Sequence, residues 1–202
     1  MEIVNRVLGP VQTNCYILMD QGHALIIDPG APIQDLDAIL DAHQCQLDAI
    51  CLTHAHFDHI GGIPFILEKY PVDVYVHPKE FSFFADTKLN VSQAFMQPFS
   101  FACEPKALKE GKQTIGSFDL DVLYTPGHSV GSLCILYKDI LFSGDTLFMG
   151  SIGRTDMVTG SYSEIIHSLE KLKALKLNYY VLPGHGPQSS LDDEKQWNSY
   201  MR

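Results

Sequence analysis

Short apolar runs separated by turn residues occur along most of the chain, and they predict β-strands. Gly9-Pro10 marks a turn between the first two runs, and Asp28-Pro29-Gly30 closes the third. Asp28 has two interpretations: a turn hydrogen bond, which is the commoner role, or a position within reach of a functional site. We predict strands at 3–8, 14–19, 24–30, 49–52, 73–77, 113–124, 133–137, 140–143 and 179–182.

Helical spacing of apolar residues appears between several of these runs. Apolar positions 33, 36, 39 and 40 predict a helix over 32–40, because Pro32 suits the first helical turn. Strand-then-helix units recur in both halves, which suggests a duplicated α/β unit with its loops at one edge. No linker divides the chain, so we predict a single domain over 1–202. Further helices are predicted after the 49–52 strand up to residue 70, from residue 78, over 162–175 and over 192–197.

Residues 87–110 lack clear periodicity but contain four large apolar side chains among polar ones. Long irregular stretches in compact domains are often functional. The segment therefore forms either a lid or pocket wall, or a surface loop that its aromatic residues pin to the core. The four side chains are Phe95, Met96, Phe99 and Phe101.

Composition narrows the class of protein. The chain has 202 residues, 46% hydrophobic and 19% charged, which is typical of a globular protein. No apolar run approaches the roughly 20 residues of a membrane span, and the N-terminus lacks a signal-peptide pattern. The net charge of −10 disfavours nucleic acid as a partner. Five cysteines without a CxxC pair are typical of core residues in a reducing compartment, so we expect a cytoplasmic protein with no membrane partner.

The segment Thr53–Gly62, with the sequence THAHFDHIGG, concentrates metal-binding chemistry. Imidazole and carboxylate groups are ligands for zinc, iron, manganese and similar ions. The alternation of His54, His56 and Asp58 predicts that these three side chains lie on one side of an extended segment. His59 would point elsewhere, so the cluster could serve two neighbouring ions.

Three more candidate ligands share a local pattern: a strand, then a turn with glycine, then the ligand. They are His128 in PGHS, Asp145 in SGDT and His185 in PGHG. Glycine permits a sharp bend and a close approach of the backbone to an ion, and a strand end supplies a rigid base. Each alone could be a capped turn, but their occurrence together with the histidine-rich segment favours one metal site.

The order THAHFDH, PGH, SGDT, PGHG resembles the metallo-β-lactamase superfamily over nearly the whole chain. Residues 9–16, 27–30 and 144–148 resemble its glyoxalase II-like branch, that is, hydroxyacylglutathione hydrolase. The resemblance implies an α/β fold with four layers, an αββα sandwich with the site at one edge.

The resemblance also implies a two-metal site. His54, His56 and His128 would hold one ion, while Asp58, His59 and His185 would hold the second. Asp145 would bridge the two ions, most often zinc, with iron or manganese as alternatives. A hydroxide between the ions would attack a small-molecule thioester such as S-lactoylglutathione, and Asp58 would orient it as the catalytic carboxylate.

The sequence differs from glyoxalase II in two features that concern binding of the glutathione part of the substrate. Only 17 residues follow His185, so the C-terminal helical extension of glyoxalase II is not expected. The family's lysine and two tyrosines that contact glutathione correspond to Arg154, Asp156 and Pro187. Arg154 keeps the positive charge and suits a carboxylate, but it has an alternative role as a structural partner of Asp156 or Asp145.

Other functions remain open. A mononuclear iron persulfide dioxygenase of the same fold would need only His54, His128 and Asp145. A β-lactamase is disfavoured because Asp145 stands where those enzymes usually have Cys or Ser, and a nuclease is disfavoured by the acidic chain. A non-enzymatic metal-binding scaffold would not need all seven ligands. The oligomeric state has no signal in the sequence.

Overall fold

Two six-stranded sheets form the centre of the molecule. The structure, a computed structural model, describes residues 1–202. The first sheet has the strand order β1-β2-β3-β4-β5-β6, with β3 to β6 parallel to one another. Its strands are β1 (Glu2–Leu8), β2 (Thr13–Asp20), β3 (His23–Ile27), β4 (Gln46–Cys51), β5 (Asp73–Val76) and β6 (Lys106–Ala107).

The second sheet has the order β14-β13-β10-β9-β8-β7, and a short ribbon of β11 and β12 lies apart from both sheets. Strands β10 and β13 are parallel, so their carboxyl ends share an edge. The remaining strands are β7 (Gly111–Ile115), β8 (Phe118–Tyr124), β9 (Leu133–Tyr137), β10 (Ile140–Gly144), β11 (Leu147–Phe148), β12 (Ser151–Ile152), β13 (Tyr180–Pro183) and β14 (Ser189–Ser190).

Five α-helices and one 3₁₀ helix complete the fold. They differ from the predicted helices in one important place: the helix up to residue 70 is broken at Gly61-Gly62 into α2 and α3. None of the helices has the length and apolar character needed to cross a membrane. The α-helices are α1 (Leu36–Ala42), α2 (Phe57–Ile60), α3 (Ile63–Lys69), α4 (Tyr162–Lys173) and α5 (Leu191–Trp197), and the 3₁₀ helix is Pro78–Phe84.

The alternating direction of side chains along the central strands explains the four layers. In β2, Tyr16 and Leu18 pack between the two sheets, whereas Ile17 faces the helices outside the first sheet. In β9, Ile135 packs between the sheets and Leu136 packs against the helical layer of the second sheet. Successive strand side chains point to opposite faces, so a strand that is apolar at every position is buried on both. The fold is therefore the expected αββα sandwich.

Candidate metal centre

All seven predicted ligands lie at one edge of the sandwich, beyond the carboxyl ends of four strands: β4, β8, β10 and β13. Glycine is needed at two of these strand ends. Gly127 precedes His128 with φ of +137°, a conformation that L side chains rarely adopt. At Gly184, a Cβ atom would lie 2.1 Å from Asp145 Oδ1. The predicted role of glycine at the strand ends is thus visible in the backbone.

His54, His56 and His128 form what we call the inner half of the site. The Nδ1 atom of His56 lies 3.1 Å from His54 Nε2 and 2.9 Å from His128 Nε2. These three residues are only 1–3% exposed. Three ring nitrogens therefore converge on one point in a region that excludes most solvent.

Asp58, His59 and His185 form the outer half. Asp58 Oδ2 lies 3.2 Å from His185 Nε2 and 3.6 Å from His59 Nε2. The side chain of His185 is 26% exposed and that of Asp58 is 12% exposed, whereas that of His59 is fully buried. The outer half therefore contains a carboxylate and remains open to solvent on one side.

Asp145 lies between the two halves. Its Oδ2 atom is 3.5 Å from both His128 Nε2 in the inner half and His185 Nε2 in the outer half. Its Oδ1 atom is 3.5 Å from His59 Nε2. One carboxylate thus faces ligands of both halves, as a bridging ligand would.

The donor set fits divalent metal ions. Ligand atoms about 2.0–2.2 Å from a tetrahedral ion lie roughly 3.3–3.6 Å from one another. The contacts of the outer half and of Asp145, at 3.2–3.6 Å, agree with this range, and those of the inner half, at 2.9 and 3.1 Å, are somewhat shorter. His59 Nε2 and Asp145 Oδ1 are buried and have no hydrogen-bond partner. Unpartnered buried polar atoms are destabilising, and a metal ion would satisfy both of these.

Electrostatics also favour metal binding in the inner half. Burial, together with the neighbouring imidazoles, holds the pKa of His54 and of His56 well below the usual value. Both rings are therefore neutral at physiological pH, which is the form that binds a metal ion. Burial acts to raise the pKa of Asp58, but His59 and His185 outweigh it, so that pKa is lowered and Asp58 is ionised.

Two groups outside the predicted set hold the inner half in place. His128 Nδ1 lies 2.8 Å from the carbonyl oxygen of Arg154, and this contact fixes the tautomer that leaves Nε2 free to bind. Glu80 is fully buried and accepts hydrogen bonds from Ala55 N at 2.5 Å, from Gly131 N at 2.9 Å and from Ser129 Oγ. Glu80 thus joins the loop of His54 and His56 to the loop of His128.

No sequence pattern points to Glu80. It lies in the polar start of a predicted helix, where a glutamate is usually exposed. Burial raises its pKa to about 7, although the three donors act in the opposite direction. Its role depends on two loops that meet only in the folded chain.

The outer half is held by the N-terminal segment. Thr13 Oγ1 donates a hydrogen bond to Asp58 Oδ2 at 2.9 Å. Asn14 Nδ2 donates to the carbonyl oxygens of Pro183 and Gly186, at 3.0 and 2.9 Å, and so fixes the loop of His185. Both residues belong to the 9–16 motif, for which the sequence indicated a family resemblance but no structural contact.

Asp28 has the second of its two interpretations, a position within reach of the functional site, because its carboxylate bonds to the histidine-rich segment and not to its own turn. It accepts hydrogen bonds from Thr53 N at 2.8 Å and from Thr53 Oγ1 at 2.6 Å. Its Oδ2 atom also lies 3.0 Å from His59 Nδ1, although without the geometry of a hydrogen bond. Asp28 therefore orients residues on both sides of the histidine-rich segment.

One geometric prediction was wrong. The alternation of His54, His56 and Asp58 was expected to place all three on one side of an extended segment. The extended segment ends at His56, and Asp58 lies in the first turn of α2, close to His59. The N–H of Phe57, at the start of this helix, donates to the carbonyl oxygen of Asn90 at 2.9 Å.

Arg154 lies at the edge of the site but is already paired. Its guanidinium donates to both carboxylate oxygens of Asp156, each at 2.7 Å, and its side chain is 56% exposed. The residue also lines a cavity of about 360 Å³ that contains five of the predicted ligands. The sequence left a substrate contact and a structural pair open for Arg154, and the pair with Asp156 is the one present here.

Comparison with known proteins places the chain in a family. The family model described as "Metallo-beta-lactamase superfamily" matches residues 8–185. "Probable metallo-hydrolase YqgX" of Bacillus subtilis is 38% identical, with 96% of this chain and 94% of that protein covered. "Hydroxyacylglutathione hydrolase GloC" of Haemophilus influenzae is 30% identical, with 94% and 93% covered.

Two solved structures have the same fold over almost their whole length. A structure described as BLEG-1 B3 metallo-beta-lactamase has a TM-score of 0.93 at 37% identity, with 99% of each chain covered. The structure of TTHA1623 in a di-iron-bound form has a TM-score of 0.85 at 33% identity, with 98% of this chain and 99% of that chain covered.

Proposed function

Because the chain belongs to the metallo-beta-lactamase superfamily, we propose that it is a dinuclear metal-dependent hydrolase that cleaves a thioester. The observation that carries the proposal is the presence of two complete three-ligand groups with Asp145 between them. The inner half would hold one divalent ion and the outer half the other. Zinc is the ion we propose, and iron and manganese suit the same donors.

Bound divalent ions supply hydroxide near neutral pH and polarise a carbonyl oxygen. The chain's own residues orient the reactants. Asp58 is ionised and held at Oδ2 by Thr13, so this carboxylate can orient the attacking water. Water adds to the acyl carbon and the carbon–sulfur bond breaks, which yields a carboxylic acid and a thiol. A thiolate is a fair leaving group, so the reaction needs little acid assistance.

Support for a thioester comes from the relative described as hydroxyacylglutathione hydrolase. The relative described as a B3 metallo-beta-lactamase makes a β-lactam the second candidate substrate. Either reaction adds water to a carbonyl carbon, so the same metal centre serves both. They differ in the group that leaves and in the shape of the molecule that the cavity accepts.

A screen of thioesters and β-lactams, run beside metal quantification, tests the proposal. We expect about two ions per chain, hydrolysis of a thioester and little hydrolysis of nitrocefin. S-lactoylglutathione is included as one of the thioesters. One iron per chain, with oxygen consumed on a glutathione persulfide, would overturn the hydrolase proposal in favour of the dioxygenase. Faster hydrolysis of nitrocefin than of any thioester would favour the β-lactam.

A further inference from the structure

The cavity at the metal centre is strongly apolar away from the ligands. Half of the residues that line it are hydrophobic. Phe57 and Phe95 line it with ring centroids 5.2 Å apart, and Phe148 also lines it, with its ring 6.2 Å from that of His185. A cavity of about 360 Å³ falls in the size range of small-molecule sites, in which apolar walls supply most of the contact area.

The wall contains a strained residue that the fold nevertheless maintains. Val91 lines the cavity with φ of +59°, a value that a β-branched residue rarely adopts. Asn90 holds this backbone, because its side chain donates to the carbonyl oxygens of Phe83 and Phe99 at 3.0 and 2.8 Å. Strain of this kind persists where the surroundings enforce it, and it clusters at ligand sites.

The irregular segment 87–110 therefore has both of the roles that the sequence left open. Phe99 and Phe101 pack against the core cluster of the first sheet and pin the segment. Val91 and Phe95 lie in the cavity wall.

Apart from the metal ions that it would hold, the cavity lining offers one cation to an anionic substrate, and that cation is already paired. Arg154 is the only lysine or arginine in the lining, and its Nε and Nη2 groups donate to the two carboxylate oxygens of Asp156. Glutathione has two carboxylates, which would compete with Asp156 for this group. The chain as a whole has a formal charge of −10, which repels polyanionic molecules such as coenzyme A thioesters.

We propose that the cavity binds thioesters with an uncharged, apolar acyl group and an uncharged thiol, in preference to glutathione thioesters. The proposal rests on the proposed thioesterase function, and it names the substrate class of that site. The aromatic walls accommodate an aryl or branched-alkyl group, and Arg154, which is already paired with Asp156, compensates poorly for burying a carboxylate.

Four thioesters that combine two acyl groups with two thiols test the proposal on the metal-loaded protein. The acyl groups are phenylacetyl and lactoyl, and the thiols are glutathione and N-acetylcysteamine. For each acyl group we expect kcat/KM to be at least about tenfold higher with N-acetylcysteamine. For each thiol we expect phenylacetyl to exceed lactoyl. A higher kcat/KM for the glutathione member of each pair would overturn the proposal.

Binding of two thioethers, which cannot be hydrolysed, separates this proposal from the proposed function. We expect S-benzyl-N-acetylcysteamine to bind the metal-loaded protein more tightly than S-benzylglutathione, as measured by calorimetry. If no thioester is hydrolysed but this order of affinities holds, the thioesterase function fails and the preference of the cavity stands. Tighter binding of S-benzylglutathione contradicts the preference whatever the activity.

Two variants with matched controls assign the preference to residues. Asp156→Asn should free Arg154 and lower the KM for S-phenylacetylglutathione about tenfold. Asp121→Asn, at an exposed carboxylate of β8 outside the cavity, should leave that KM unchanged.

Phe95→Ala should raise the KM for the phenylacetyl ester of N-acetylcysteamine. Phe81→Ala should not, since Phe81 is equally exposed (38% against 39%) but lies outside the cavity. Equal effects of a variant and its control would contradict the assignment.

Discussion

The two halves of the metal centre use similar donors in different surroundings. The inner half has three imidazoles, all nearly inaccessible to solvent, and its loops are joined by the buried Glu80. The outer half has two imidazoles and a carboxylate, with Asp58 and His185 partly exposed. The outer half depends on the N-terminal segment through Thr13 and Asn14 instead.

The difference suggests that the two halves suit different parts of the reaction. Neutral, buried donors hold an ion rigidly, which suits the positioning of a substrate carbonyl. A partly exposed carboxylate suits the handling of a proton that must reach solvent. Asp145 couples the halves, because its carboxylate faces ligands on both sides.

Asp145→Ala should have the largest effect, because it removes the group shared by both halves. We expect thioesterase activity to fall by more than about 100-fold. Mutation of a residue that only hydrogen-bonds to a metal ligand already lowers metal affinity or activity 10–100-fold. His54→Ala should likewise abolish most activity. Metal content, measured by mass spectrometry on the purified proteins, should fall below two ions per chain. Full activity of Asp145→Ala would show that the bridged arrangement is wrong.

His56→Ala and His185→Ala should separate the two halves. Each variant removes one ligand from one half only, so we expect about one ion per chain in both. With cobalt(II) in place of the native ions, the visible spectra of the two variants should differ, because the remaining ion has different ligands. Identical spectra would mean that the halves do not bind independently.

On treatment of wild type with a chelator, the spectrum of the inner half should persist longer, because its ligands are buried.

Glu80→Ala should weaken the inner half without removing a ligand. Loss of the three hydrogen bonds frees the loops of His54 and His128, and we expect a 10–100-fold lower affinity for one of the two ions. Glu80→Gln keeps one acceptor oxygen and should fall between Ala and wild type. Glu110→Ala is the control, because Glu110 is an exposed carboxylate whose partner is Lys171. If both ions lose affinity equally, Glu80 does not act on the inner half alone.

Thr13→Val should produce the smallest change, confined to the outer half. It removes the hydroxyl that donates to Asp58 but nearly preserves the shape of the side chain. One hydrogen bond corresponds to roughly a fivefold change in affinity for the outer ion. Thr114→Val is matched to it, since Thr114 Oγ1 donates to the exposed Asp119 at 2.7 Å, far along the second sheet. An equal effect of the control on metal affinity would exclude a specific role for Thr13.

Much of the fold could be predicted from the sequence because the central strands are apolar at successive positions. The strand at 14–19 is an example: it lies within β2, where alternate residues enter different cores. The predicted strand at 113–124 is instead two strands, β7 and β8, joined by a turn at Gly116, which has φ of +56°. The helix predicted from Pro32 begins only at Leu36. Pattern alone locates elements better than it locates their ends.

The side chains that supply the chemistry can be identified without a structure, because imidazoles and carboxylates near strand ends are visible as motifs. His54, His128 and His185 each come a few residues after a strand and lie at the same edge of the sandwich. The family resemblance already implied how the ligands divide into two groups, but what holds each group is visible only in the folded chain. Asp58 joined the outer half because a helix begins at Phe57, and Glu80 became a support because two distant loops enclose it. Both outcomes depend on contacts between segments far apart in the chain, which local patterns do not encode.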